Sequence, residues 1–280
     1  MRFGIKTSPQ YTTWADMLAV WREADDIDVF ESAWNFDHFY PINVPDTTGP
    51  CMEGWVTLTA LAQATNRIRI GCMLNGVVYR HPAVLANMAS TLDIVSDGRL
   101  DLGLGAGWNE EECDAYGIEL GSLTERFDRF DEACEVIVSL LTNETTDFDG
   151  RYFQLRDARN NPAGVQTPHP PICIGGQGER RTLPAVARWA QHWNYPGFDT
   201  AGLAAKLAKL HEACEAIGRD PAEIMVSQHI PYDAANGPGA TAEMVAGRQE
   251  LGLDLAIVYL PPPHDPAVIA PLADALAEVA

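Results

Sequence analysis

Eight short apolar runs, separated by stretches of helical periodicity, constrain the fold of this chain more than any other feature. They are Phe3–Lys6, Glu31–Asn35, Ile68–Leu74, Leu100–Leu104, Ile172–Ile174, His192–Tyr195, Ile224–Gln228 and Leu255–Leu260. Several are almost unbroken in apolar character, as strands covered on both faces are. Between them the period changes. Trp14, Met17, Leu18 and Trp21 share one helical face. Pro82 opens a helix that carries Val84, Leu85, Met88 and Leu92. Ser122 and Glu125 have capping-box spacing ahead of Phe127, Phe130, Cys134, Ile137 and Leu141. Thr200 is placed to cap a helix through Leu203, Leu207, Leu210 and Cys214 that Gly218 ends. Val268, Ile269, Leu272, Leu276 and Val279 stripe the last one. This alternation predicts an α/β fold with a parallel sheet. Eight units favour a closed (β/α)8 TIM barrel, and 280 residues suit a fold of about 250. A doubly wound open sheet is the other arrangement the pattern allows. No repeat, linker or low-complexity stretch interrupts the sequence, so residues 1–280 are expected to form a single barrel domain.

One connection is too long for a barrel loop. Residues 105–171 separate the fourth and fifth strands. They begin with the capped helix and end in FDGRYFQLRDARNNPAGVQTPHPP, which has no helical period. Phe148, Tyr152 and Phe153 around Asp149–Gly150 predict a turn with aromatic flanks, and a lid over the site is the expectation for such an insertion.

Charge and cysteine content narrow the partners. The formal charge is −20, from 19 basic and 39 acidic residues. Phosphate backbones need clustered lysine and arginine, so nucleic acid is not an expected partner. An anionic membrane surface is disfavoured for the same reason, and no run approaches 18 continuous apolar residues. The six cysteines form no CxxC pair, which predicts free thiols in a reducing cytoplasm. The N-terminal MRFGIKTSPQ lacks an apolar run of signal-peptide length.

In a barrel the chemistry sits at the C-terminal ends of the strands, which selects a short set of residues. Asp37 and His38 follow the second strand, Asn75 the third, GLGAGWN (103–109) the fourth and GGQG (175–178) the fifth. Gln228 and His229 follow the seventh, and Tyr259 the eighth. GLGAGW is a weak dinucleotide signal, because NEEE rather than the helix of a Rossmann fingerprint follows it. GGQGERR is better placed. It ends a strand and opens the helix of Leu183, Val186 and Ala187, so its backbone N–H groups can face an anion, with Arg180 and Arg181 adding charge. A tight turn with a solvated basic pair is the plainer reading. Asp37 and His38 form the best titratable pair, suited to proton handling with the carboxylate setting the imidazole tautomer. A buried, structurally satisfied histidine is the alternative there, and the structural role is the one expected of His81. No HExxH, GxSxG, P-loop or EF-hand pattern is present, and no His/Cys spacing suits a metal. These residues describe a barrel enzyme that binds an anionic ligand, without revealing its reaction.

The strings WNFDHF (34–39), RHP (80–82), SDGRLDLGLGAGWNEEE (96–112), FDGRYF (148–153) and PPICIGGQGERR (170–181) together resemble the luciferase-like monooxygenase superfamily, and within it the branch that uses coenzyme F420. The resemblance covers nearly the whole chain and is weakest from Ala201 onward. It implies a barrel with a flavin or deazaflavin across its C-terminal mouth and a small organic substrate above the ring. Asp37 and His38 would lie beside the ring. Met73–Leu74 matches a bulge behind the ring that often holds a non-proline cis peptide, with Asn75 next to it. Gly107, Trp108 and Asn109 match the ribityl and phosphate path, Gly175 and Gly176 match phosphate contacts, and Arg180 and Arg181, in the first turn of the helix that follows, would meet the acidic tail of F420. The alternative within the superfamily is an FMN-dependent monooxygenase using reduced flavin and O2; a non-catalytic flavin carrier is a third reading. Sugar-phosphate dehydrogenases of the group carry a glutamate where, aligned on the glycines, this chain has Ala106. That departure argues against their substrate and leaves His38 as the proton-handling group. A homodimer is the assembly the resemblance implies.

Overall fold

The strands close into a parallel ring. A computed structural model describes residues 1–279. Its elements in chain order are β1 (Arg2–Thr7), α1 (Trp14–Asp25), β2 (Phe30–Asn35), α2 (Gly54–Ala64), β3 (Arg69–Cys72), β4 (Asn75–Gly76), α3 (Pro82–Val95), β5 (Leu100–Gly105), α4 (Glu110–Tyr116), α5 (Leu123–Thr142), β6 (Thr146–Asp149), β7 (Gln154–Ala158), β8 (Ile172–Gly175), α6 (Thr182–Trp189), β9 (His192–Tyr195), α7 (Thr200–Ala216), β10 (Met225–Pro231), α8 (Gly237–Val245), β11 (Leu255–Leu260) and α9 (Ile269–Ala277). Hydrogen-bonded neighbours run β1–β2–β3–β5–β8–β9–β10–β11 and back to β1. All eight predicted strands are therefore present, and the closed barrel replaces the open sheet.

Side chains alternate along each strand, so every second residue points into the barrel. Trp34 spans the interior with Cys173, Leu255 and Ile257 packed around it. A side chain at position 71 would strike the Trp34 ring, which is why glycine stands there. Above this plug the inward residues of the next layer, Lys6, Met73, His229 and Tyr259, form the floor of an open mouth.

Three local expectations are corrected. The third strand stops at Cys72: the ladder to β5 breaks after Gly71 and resumes at Asn75 and Gly76, and the Met73–Leu74 peptide between them is cis. Asp199, not Thr200, caps α7, its carboxylate accepting from Gly202 N–H. NEEE does open a helix, the seven-residue α4. The capping box of α5 forms as read, with Ser122 N–H donating to Glu125 at 2.9 Å. All six cysteines are free. The Asp149–Gly150 turn is real and joins the antiparallel pair β6–β7. Three backbone N–H groups of that turn bind the Glu132 carboxylate on α5, and residues 146–158 contribute nothing to the mouth. The parts of the insertion that reach the mouth are its first residues, Gly105 to Trp108, and the start of α5. Among the described residues no helix is long and apolar enough to cross a membrane.

Candidate active site

The mouth encloses a cavity of about 880 Å³ at the C-terminal ends of the strands. That is the size of a site for a cofactor-sized molecule. Met73 and Leu74 supply apolar floor, Phe36 and Trp108 aromatic wall, and Leu123 and Phe127 of α5 close one side.

His38 lies in this wall and is 7% exposed. Its Nδ1 is 2.6 Å from Glu112 Oε1. Glu112, in α4, is completely buried and accepts from several donors: Tyr79 O–H on Oε1, and Phe39 N–H at 2.8 Å on Oε2. Burial alone would raise the Glu112 pKa, but the bonds from His38, Tyr79 and the backbone outweigh it and hold the carboxylate below its ordinary range. An ionised Glu112 requires a proton on His38 Nδ1, which leaves Nε2 for the cavity. The imidazole is held edge-on by Phe36 and Trp108, with ring centroids at 5.1 and 5.3 Å. Tyr79 has its own pKa raised by burial and by the carboxylate it serves.

The carboxylate expected to orient His38 was Asp37, and the structure gives that place to Glu112. Asp37 is instead gripped by Arg80 through two bonds of 2.6 and 2.9 Å, and Arg80 also reaches Glu53 at 2.7 Å. Burial pushes the Asp37 carboxyl upward against the pull of Arg80. This pair fastens the β2 end to the loop before α3, where His81 caps the helix as a structural residue.

Of the residues singled out from sequence, Asp37, His38, Met73, Leu74, Gly107, Trp108, Gly175 and Gly176 all line the cavity. Gly107 and Gly176 have φ of +84° and +123°, backbone that excludes most side chains and leaves the peptide edge accessible. Three others stand outside. Asn75 is spent inside the fold, its Nδ2 donating to Gly103 O at 2.6 Å while its Oδ1 accepts from Trp55 N–H. Asn109 occupies the cap position of α4, buried behind the wall. Arg180 is exposed and does not line the cavity. Its neighbour Arg181 precedes α6 rather than sitting in its first turn, and is paired with Asp128 and Asp131 at 2.8 and 2.9 Å. The cations that do face the cavity are Lys6 and Arg126. Both escaped the sequence reading, Lys6 because it ends an apolar strand and Arg126 because it follows a capping box.

The profile of the luciferase-like monooxygenase family matches residues 1–249. The chain is 30% identical over 191 residues to an F420-dependent glucose-6-phosphate dehydrogenase of Amycolatopsis mediterranei, covering 68% of this chain and 54% of that protein. It is 33% identical over 177 residues to the pyrimidine monooxygenase RutA of an Enterobacter species, covering 60% and 47%. It thus spans about half the length of these curated relatives. An F420-dependent secondary alcohol dehydrogenase, solved with an F420-acetone adduct, superposes with a TM-score of 0.87 over 100% of this chain and 99% of its own, at 18% identity, and so shares the fold.

Proposed function

Because the chain belongs to the luciferase-like monooxygenase family, we propose that it is an oxidoreductase that uses coenzyme F420 to move a hydride to or from a small organic substrate. The observation that carries this reading is the His38–Glu112 pair, set in the wall of a cavity that is also lined by the apolar Met73 and Leu74 and by the backbone of Gly107, Gly175 and Gly176. Relatives named as F420-dependent dehydrogenases, at 30% and 32% identity, support the choice of cofactor.

The residues present fit such a cofactor. Met73 and Leu74 offer apolar surface to a ring. Gly107 and Gly176 bring peptide edges to the wall, and Arg126 stands in the same lining. Arg126 binds Gly107 O at 3.3 Å, while its buried Nε has no partner among the described residues. An unpartnered buried guanidinium N–H is costly unless an acceptor reaches it, and a phosphate on the ribityl chain is such an acceptor. When bound, the deazaflavin supplies the hydride chemistry; the protein supplies binding, orientation and electrostatics. His38 holds or accepts a proton at Nε2, Glu112 fixes the tautomer, and Phe36 and Trp108 hold the imidazole edge-on.

An FMN-dependent monooxygenase is the second reading. It is favoured by the engagement of Arg181 with two aspartates, which removes one of the cations expected to meet an acidic tail, and by a monooxygenase among the relatives. Turnover separates the two. With F420 and a panel of alcohols and ketones, the bleaching or recovery of cofactor absorbance is expected to proceed at the same rate with and without O2. Activity that requires both O2 and reduced FMN contradicts the F420 reading.

A further inference from the structure

The floor of the cavity holds a cation that no carboxylate among the described residues neutralises. Lys6 is the inward residue near the top of β1, beside Tyr259 in the sheet register. Its Nζ donates to Met73 O at 3.1 Å and lies 5.5 Å from the centre of the Tyr259 ring. It makes no ion pair among the described residues, although the chain has 39 acidic against 19 basic residues. The acid lining the same cavity, Asp37, is already held by Arg80.

The other titratable groups around Lys6 are neutral. Cys72 on β3 and Cys173 on β8 are buried thiols whose pKa values burial pushes well up. His229 on β10, whose Nε2 is 3.1 Å from Met73 Sδ, is kept uncharged by burial and by the Lys6 charge itself. Tyr259 on β11 has its pKa raised by burial and gives or takes a hydrogen bond with Ser8. Lys6 therefore has one backbone acceptor, an aromatic face and two N–H groups without partners. A structural lysine in this setting would be expected to have a carboxylate.

We propose that Lys6 binds the ligand, donating from the cavity floor to a carbonyl or anionic oxygen of the molecule bound there. The inference rests on the proposed cofactor site for which molecule that is. The oxygen belongs either to the cofactor ring or to a carbonyl- or carboxylate-bearing substrate, and the chemistry required of it is the same. Burial lowers the Lys6 pKa from the ordinary 10.5 to about 8, so the free protein exchanges this proton near neutrality and an anionic ligand draws it back.

The sign of the pH effects follows. Above about pH 8 the folded protein loses a proton that the unfolded chain keeps until about 10.5, so the Lys6 contribution makes stability rise with pH across that window. Lys6→Met is then expected to melt at or above the wild-type temperature at pH 7, with the gap closing toward pH 10. Ligand affinity runs the opposite way, falling in the wild type as pH passes about 8 and staying flat in Lys6→Met.

The test titrates wild type, Lys6→Met and Lys6→Arg with F420 by cofactor fluorescence, and separately with benzoate by melting temperature. Lys6→Met is expected to bind at least one of the two about ten-fold more weakly at pH 7, with Lys6→Arg restoring most of the loss. A loss confined to F420 assigns the oxygen to the cofactor; a loss confined to benzoate assigns it to the substrate. Equal affinity of wild type and Lys6→Met for both, at pH 7 and at pH 9, overturns the proposal. If wild type fails to bind F420, the cofactor reading falls by itself and benzoate alone decides Lys6: a melting shift present in wild type and absent from Lys6→Met supports it, and the same response in both overturns it.

Discussion

Replacing His38 by alanine is expected to lower kcat by about 10²–10⁴-fold, the range of a general acid–base group, while leaving cofactor affinity near that of the wild type. The imidazole borders the cavity, but the apolar floor and glycine backbones that would carry the cofactor are supplied by other elements. Glu112→Gln is expected to cost nearly as much. An amide at this position can present its N–H₂ to Nδ1 and favour the tautomer that puts a hydrogen on Nε2. Residues acting as one unit are not additive, so the double variant should fall little below the worse single one. Steady-state kinetics of the three variants, with cofactor titrations alongside, check this. Multiplying losses in the double variant would show that the two side chains act separately, and unchanged turnover in His38→Ala would reduce it to a structural residue.

The second large effect is on stability. Arg80→Met should destabilise the fold by about 3–5 kcal/mol, the cost of breaking a buried ion pair from one side. Asp37 has no exposed side-chain surface and Arg80 only 15%, so the abandoned carboxylate cannot be rescued by water without opening the β2 end. Glu53 is more exposed and contributes less. Urea denaturation measures the loss, and Arg80→Met combined with Asp37→Asn should recover much of it because the stranded charge is gone. A loss under about 1 kcal/mol, in the range of exposed pairs, would show that the pair is effectively solvated.

Much of this was legible in the sequence because strands covered on both faces advertise themselves. All eight runs became barrel strands, and the rule that barrels work at strand ends led to His38, Gly107 and Gly176 without a structure. What was hidden has specific causes. The α2 segment GWVTLTALAQA contains no charged residue, so it lacks the polar stripe that makes a helix visible. Glu112 is the last acid of a run of three whose other two members are exposed, and such a run reads as solvated surface. Its helical phase is the signal available, since it adjoins Cys113, which is also fully buried. Its partner lies 74 residues away, a distance that no local pattern spans. The asparagines misled for the opposite reason. Asn75 and Asn109 stand at strand ends where polar side chains suit a ligand, but a barrel rim also has many backbone groups to satisfy, and Asn75 serves those. Arg180 and Arg181 looked like an anion site because the sequence cannot show Asp128 and Asp131, on α5, arriving beside Arg181, or Arg180 pointing away from the cavity lining.

The central claim is that this cavity is built for the deazaflavin, and a side-by-side titration of the purified chain with F420 and with FMN tests it most directly. F420 is expected to bind at least about ten-fold more tightly, a difference of about 1.4 kcal/mol. Arg126→Met should weaken both cofactors, since the phosphate is common to them. Tighter or equal binding of FMN, or binding of neither, would contradict the account.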